Sequence, residues 1–165
     1  MTQGMTQPAV QVAVCGPAEC SAAEAAAARE VGALLARSGA VVLCGGYGGV
    51  MAAAAQGAAG AGGVVIGILS GADRSGASPH LTAAVATGMG QARNSVLVGS
   101  ADAVVVVGGS WGTLSEVAMA VRQGGKPVVG LGTWQIVDAR GEAVPGVVAA
   151  DDPATAVALA LEGRD

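Results

Sequence analysis

Residues 101–116 read Ala-Asp-Ala-Val-Val-Val-Val-Gly-Gly-Ser-Trp-Gly-Thr-Leu-Ser-Glu. An unbroken apolar run of strand length passes into a Gly-rich turn, and from Thr113 a helical pattern continues to about Gln123, where Gly124 and Gly125 stop it. A β-branched run without polar alternation is what a strand buried on both faces looks like, so a parallel sheet covered by helices on each side is expected. The same succession occurs upstream. There residues 40–44 lead through Gly45, Gly46, Tyr47, Gly48 and Gly49 into an Ala-rich helix ending by Gly60.

Outward from these two turns, apolar runs alternate with longer Ala-rich segments along the whole chain. Strands are predicted over residues 10–15, 40–44, 64–69, 83–86, 103–107, 127–130 and 147–149. The first helix opens on the capping box Ser21-x-x-Glu24 and ends near Arg37, with Gly39 as its cap. A third helix should run from about Gln91 to just before Asp102, and the last follows Asp152-Pro153, an N-cap with proline at the first helical position. The expected architecture is α/β: a doubly wound, Rossmann-like three-layer sandwich with a mainly parallel sheet of about seven strands. Residues 1–165 are expected to form a single nucleotide-binding domain of this type, with residues 1–8 flexible.

Composition narrows the function. Only 12% of the residues are charged and 52% are apolar, with a mean hydropathy of +0.58, so a membrane reading has to be tested. The uncharged stretch 38–72 is interrupted repeatedly by glycine and is rich in weakly apolar alanine, which excludes a spanning helix. No basic, then apolar, leader precedes residue 9, so a cytoplasmic protein is expected. The net charge of -4 and pI near 4.8 argue against a nucleic-acid partner. Cys15, Cys20 and Cys44 are odd in number and form no CxxC pair, and His80 is the one histidine. Neither a disulfide framework nor a metal site is expected.

In a parallel sheet, ligands bind beyond the carboxyl ends of the strands, where the free N–H groups of helix N-termini attract anions. Both Gly-rich turns occupy such places, and they make Gly45, Gly46, Tyr47, Gly48, Gly49, Gly108, Gly109, Ser110, Trp111, Gly112 and Thr113 candidates for phosphate binding. Neither turn carries the P-loop lysine or the dinucleotide fingerprint. Arg93, at the start of the helix after the fourth strand, and Glu116, in the helix after the fifth, would meet over one crevice if those two strands were neighbours. Two plainer readings stand beside this one: Thr113-x-x-Glu116 fits a capping box, and Arg93 and Asn94 fit a solvated helix face. The loop of residues 70–80, with Asp73, Arg74 and His80, follows the third strand and could line the same edge, though an ordinary solvated loop is the favoured reading. Tyr47, Trp111 and Trp134 are the only aromatic residues. All three are predicted at the carboxyl edge, where a ring could stack on a planar ligand.

The segment 101–116 resembles the PGGxGTxxE signature of the LONELY GUY (LOG) phosphoribohydrolases, a superfamily long misannotated as lysine decarboxylases. Residues 45–51 look like that family's first Gly-rich turn, and Arg93 falls in register with its functional arginine. Gly108 stands where the signature has proline, Ser110 where it has its second glycine, and Asn94 where a lysine follows the arginine. Together with Thr87-Gly88-Met89-Gly90-Gln91-Ala92-Arg93 and Gly125-Lys126-Pro127, these departures place the resemblance closest to the branch of molybdenum cofactor (Moco) carrier-like proteins. The resemblance implies a binding protein for a small phosphorylated, nucleotide-like ligand such as the molybdenum cofactor or a nucleoside monophosphate. Its alternative is hydrolysis of a nucleoside 5′-monophosphate to base and ribose 5-phosphate, needing no cofactor, with Arg93 and Glu116 as catalytic groups. It further implies a homo-oligomer, dimer or tetramer.

Overall fold

The computed structural model describes residues 8–164. The flexibility expected of residues 1–8 therefore falls on residues that lie, save for Pro8, outside the described ones. The elements are β1 (Gln11–Cys15), α1 (Ala22–Arg37), β2 (Val41–Cys44), α2 (Val50–Gly60), β3 (Val65–Leu69), β4 (Ala83–Ala86), α3 (Arg93–Gly99), β5 (Ala103–Val107), α4 (Trp111–Gln123), β6 (Val128–Leu131), β7 (Val148–Ala150) and α5 (Pro153–Leu161). A 3-10 turn, Gly90–Ala92, precedes α3.

All seven strands pair in parallel, in the order β4-β3-β2-β1-β5-β6-β7. The strands alternate their side chains between two apolar layers. Val12, Val14, Ala103, Val105 and Val107 pack with Ala28, Val31 and Leu35 of α1, Ala54 and Ala58 of α2, and Ala156 and Ala160 of α5. Ala13, Cys15, Val104 and Val106 face the other way, onto Leu97 and Val98 of α3 and Val117 and Ala120 of α4. Strand residues that must satisfy helices on both faces leave no polar position, which accounts for the unbroken valine run of β5.

Small residues set how closely these layers approach. A Cβ on Gly32 of α1 would overlap the carbonyl of Ala54, and one on Gly57 of α2 would overlap the carbonyl of Arg29. The two helices therefore touch backbone to backbone at two points. No helix among the described residues is long and apolar enough to cross a membrane.

Two expectations are corrected. The fourth and fifth strands are not neighbours: β4 lies at the sheet edge, with β3, β2 and β1 between it and β5. The chain instead returns from that edge through residues 87–92, so that α3 packs beside α4 and brings Arg93 over the middle of the sheet. The second correction concerns the cap of α4. Ser110, extended at φ -156° and ψ 171°, is the N-cap, and its Oγ accepts from the Thr113 N–H at 3.2 Å. Helix α4 thus starts two residues before the predicted Thr113, and Glu116 sits in its second turn rather than in a capping box.

Candidate functional site

The strand order reverses between β1 and β5. After β1 the chain enters α1 on one face, and after β5 it enters α4 on the other, so the two connections diverge and leave a crevice above the carboxyl ends of these strands. Its volume is about 380 Å³. The walls include Gly16 and Ala18 after β1, Ser70 after β3, Gln91, Arg93 and Asn94 at the start of α3, and Ser110, Gly112, Thr113 and Glu116 of the α4 entry.

The turn after β5 leaves a run of backbone N–H groups open. Gly108 takes φ +67°, and its N–H closes the strand by donating to the carbonyl of Leu131 at 3.2 Å. Among the described residues, the next four backbone N–H groups, of Gly109, Ser110, Trp111 and Gly112, have no partner within the protein. The Ser110 and Thr113 hydroxyls are hydrogen-bonded to each other at 2.9 Å beside them. These free amides lie at the positive end of a 13-residue helix, an arrangement whose N–H groups and dipole favour negative charge. The φ of Gly108 is one that the proline ring, fixed near -65°, cannot adopt, so glycine in place of the signature's proline matches this backbone.

The first Gly-rich turn is organised differently. Its Val50 N–H donates to the carbonyl of Pro17 at 3.0 Å, and Gly46 receives the N–H of Ser78 on its carbonyl at 2.8 Å. Arg93 Nη1 donates to the carbonyl of Gly45 at 2.7 Å and to that of Ile68. A Cβ at Gly45 would meet the guanidinium at 2.6 Å, so only glycine lets Arg93 lie there. Gly45 and Gly46 are thus packed behind the crevice, Tyr47 and Gly49 are half-buried and Gly48 is exposed, and none of the five lines it. The Tyr47 hydroxyl accepts from the Gly71 N–H at 3.0 Å, and its ring centroid lies 5.9 Å from the Arg93 guanidinium carbon.

Arg93 and Glu116 do meet over one crevice, although by another route than adjacent strands. They are not paired: among the described residues, the ion pairs are those of Arg140 with Asp138 and Glu142. Arg93 is a clamp, with Nε donating to Asn94 Oδ1 at 2.9 Å while Asn94 Nδ2 donates to Ser115 Oγ at 3.0 Å and Ser115 Oγ to the Gly112 carbonyl at 2.7 Å. This chain ties β3, the first turn and the α4 entry into one frame. Asn94 is buried, not a surface amide.

Glu116 is 7% exposed. Burial pushes its carboxyl up to about 7, against the pull of Arg93 and the Cys15 thiol beside it. The same burial, with Glu116 next to it, raises the Cys15 thiol well above its ordinary range, and Cys44 rises to about 11. Both thiols stay protonated at neutral pH. Trp111 and Trp134 sit at the carboxyl edge as expected but on the far side of the α4 turn. Their rings meet edge to face at 5.3 Å, Trp134 covering Gly109, and neither lines the crevice. Asp73 and Arg74 are exposed, as a solvated loop requires; Ser70 of that loop reaches the crevice.

The sequence model of the SLOG cluster4 family matches residues 9–157, nearly the whole chain. The chain belongs to the SLOG cluster4 family. A protein of Archaeoglobus fulgidus described as uncharacterized is 42% identical over 115 residues, covering 70% of this chain and 76% of that one. Among solved structures, the molybdenum cofactor binding protein from the phototrophic bacterium Rippkaea orientalis is 33% identical with a TM-score of 0.83, over 93% of this chain and 96% of that chain. The molybdenum cofactor carrier protein of Chlamydomonas reinhardtii is also 33% identical, with a TM-score of 0.77 over 92% and 95%. The SLOG cluster4 assignment agrees with the LOG-like signature of residues 101–116, and these neighbours with its Moco carrier-like branch.

The sequence marks neither Gly16 nor Ala18 and leaves Asn94 on a solvated face, whereas Ser70 opens the loop that could line this edge. The one available signal was Gly16-Pro17 directly after β1. A Cβ at Gly16 would lie 2.5 Å from the Val107 carbonyl, so a close approach of β1 and β5 at their ends requires this glycine.

Proposed function

We propose that this SLOG cluster4 chain is a carrier-like binding protein for a phosphate-bearing pterin cofactor of the molybdenum type. The observation that carries the reading is the run of four unpartnered N–H groups, Gly109 to Gly112, at the β1–β5 switch point, where Ser110 and Gly112 line the crevice. A terminal phosphate would be held by these amides and by the Ser110 and Thr113 hydroxyls, while the ligand's planar part extends past Arg93 and Gln91. Among the described residues no three His, Cys, Asp or Glu side chains stand together as a metal ion would need. In this reading the protein holds the cofactor by its phosphate, with molybdenum carried on the pterin, where it would supply redox chemistry to a recipient. The solved neighbours, matched over more than nine-tenths of both chains, support the same ligand class.

One observation keeps hydrolysis of nucleoside monophosphates as a second reading: Glu116 lines the crevice beside Arg93. A raised carboxyl is suited to general acid work at a glycosidic bond. Two assays on one preparation separate the readings. In the first, cofactor released anaerobically from a molybdoenzyme is mixed with the protein and passed through gel filtration. Co-elution of molybdenum and pterin in equal amounts, reduced at least tenfold by Gly112→Asp, supports the carrier. In the second, a panel of nucleoside monophosphates is tested for free base and ribose 5-phosphate. Release that Glu116→Gln abolishes, without cofactor retention, would replace the carrier reading by the enzyme.

A further inference from the structure

We propose that the crevice takes up a proton together with an oxyanion ligand, and that Glu116 is the group that carries the proton. This rests on the reading that the α4 entry holds the ligand's phosphate. Glu116 is more than nine-tenths buried, lines the crevice, and makes no hydrogen bond with an N–H or hydroxyl among the described residues. Its carboxyl stands in the second turn of the helix whose entry carries the free amides of residues 109–112, so an ionised Glu116 and a bound phosphate would share one small crevice as two anions.

The surrounding groups leave the proton on Glu116 as the way to relieve that repulsion. From α3 comes Arg93, whose Nη1 and Nε are already committed to the carbonyls of Gly45 and Ile68 and to Asn94. From β1 and β2 come the Cys15 and Cys44 thiols, both neutral at pH 7. From α1, Glu24 lies behind Gly108, fixed in its capping box with Ser21. Among the described residues lining the crevice Arg93 is the single cation, and one positive charge does not balance an ionised Glu116 and a doubly charged oxyanion together. Glu116 is itself poised at about 7, so an arriving oxyanion tips it to the protonated form, whose O–H can donate to a ligand oxygen. The proton comes from solvent and returns to it on release, with no bond to carbon or sulfur made or broken. Ligand capture is favoured in mildly acidic medium and release in alkaline medium.

Sulfate is the probe, because its charge does not change between about pH 5 and 9 whereas phosphate itself titrates. Calorimetric titration at pH 6, 7 and 8, in two buffers of different ionisation enthalpy, reads affinity and proton uptake together. Affinity is expected to fall about tenfold from pH 6 to pH 8, with a buffer-dependent heat at pH 7 to 8 corresponding to uptake of up to about one proton. Glu116→Gln is expected to bind with the same affinity at all three pH values and with no buffer-dependent heat. Wild-type binding that is independent of pH would overturn the proton uptake while leaving the phosphate-turn reading intact. A pH dependence that survives in Glu116→Gln would remove Glu116 as the carrier. No sulfate binding at any pH would overturn both the uptake and the reading on which it rests.

Discussion

Glu116 makes the stability of the folded chain depend on pH in an unusual direction for a carboxylate. Its proton is held more tightly in the folded state, about 7, than in the unfolded chain at 4.5. The folded state thus binds more protons across that window, and stability is fully present below pH 4.5, falls as pH rises toward 7, and is flat above it. Glu116→Gln is expected to match the wild type in urea unfolding at pH 5 and to be more stable at pH 8 by on the order of 2 kcal/mol. A wild type that grows more stable between pH 5 and 8 would contradict this. Arg93 acts by shape: Arg93→Lys keeps the charge but cannot donate from one planar fork to Gly45, Ile68 and Asn94. We expect a loss of about 1–3 kcal/mol by the same measurement. Both residues were legible from the signature spacing. Asn94 was not, since a lone asparagine on a short helix carries no local mark of burial, and its role exists only once Ser115 of another helix is beside it.

At the scale of elements, the contact between α1 and α2 depends on two glycines that sequence patterns treat as helix-weakening. Gly32→Ala or Gly57→Ala places a methyl against a facing backbone carbonyl, and each should cost about 1–3 kcal/mol in chemical denaturation. Gly60, at the end of α2 with open space around it, is the control, where Gly60→Ala is expected to be neutral or slightly stabilising. Ser110→Ala removes the α4 cap and should cost about 1 kcal/mol. Strand positions were legible to within a residue or two because unbroken valine runs bounded by glycine have one reading in a doubly covered sheet. The start of α4 was not, because Ser110 and Thr113 are both good caps and only the backbone turn at Gly108 decides between them.

At the scale of the molecule, the polar ends of the sheet hold all three aromatic rings, and both tryptophans are open to solvent, Trp111 at 79% and Trp134 at 44% exposure. Tryptophan emission is therefore expected to shift little on unfolding in urea and to be strongly quenched by iodide in the folded protein. A blue-shifted, protected emission would show that another surface covers this corner. Strand order was the part least legible in sequence: every strand looks alike, and only long-range pairing puts β4 at the edge and β1 beside β5. That pairing has a consequence for how the protein comes into being on the ribosome. Strands β1 to β4 have all emerged by Ala86 and can pair among themselves, whereas the partner for the open side of β1 lies at Ala103–Val107. One wall of the crevice exists before the other has been translated. The nascent half-sheet exposes the edge of β1 until β5 arrives, and the crevice is completed only once α4 has followed it.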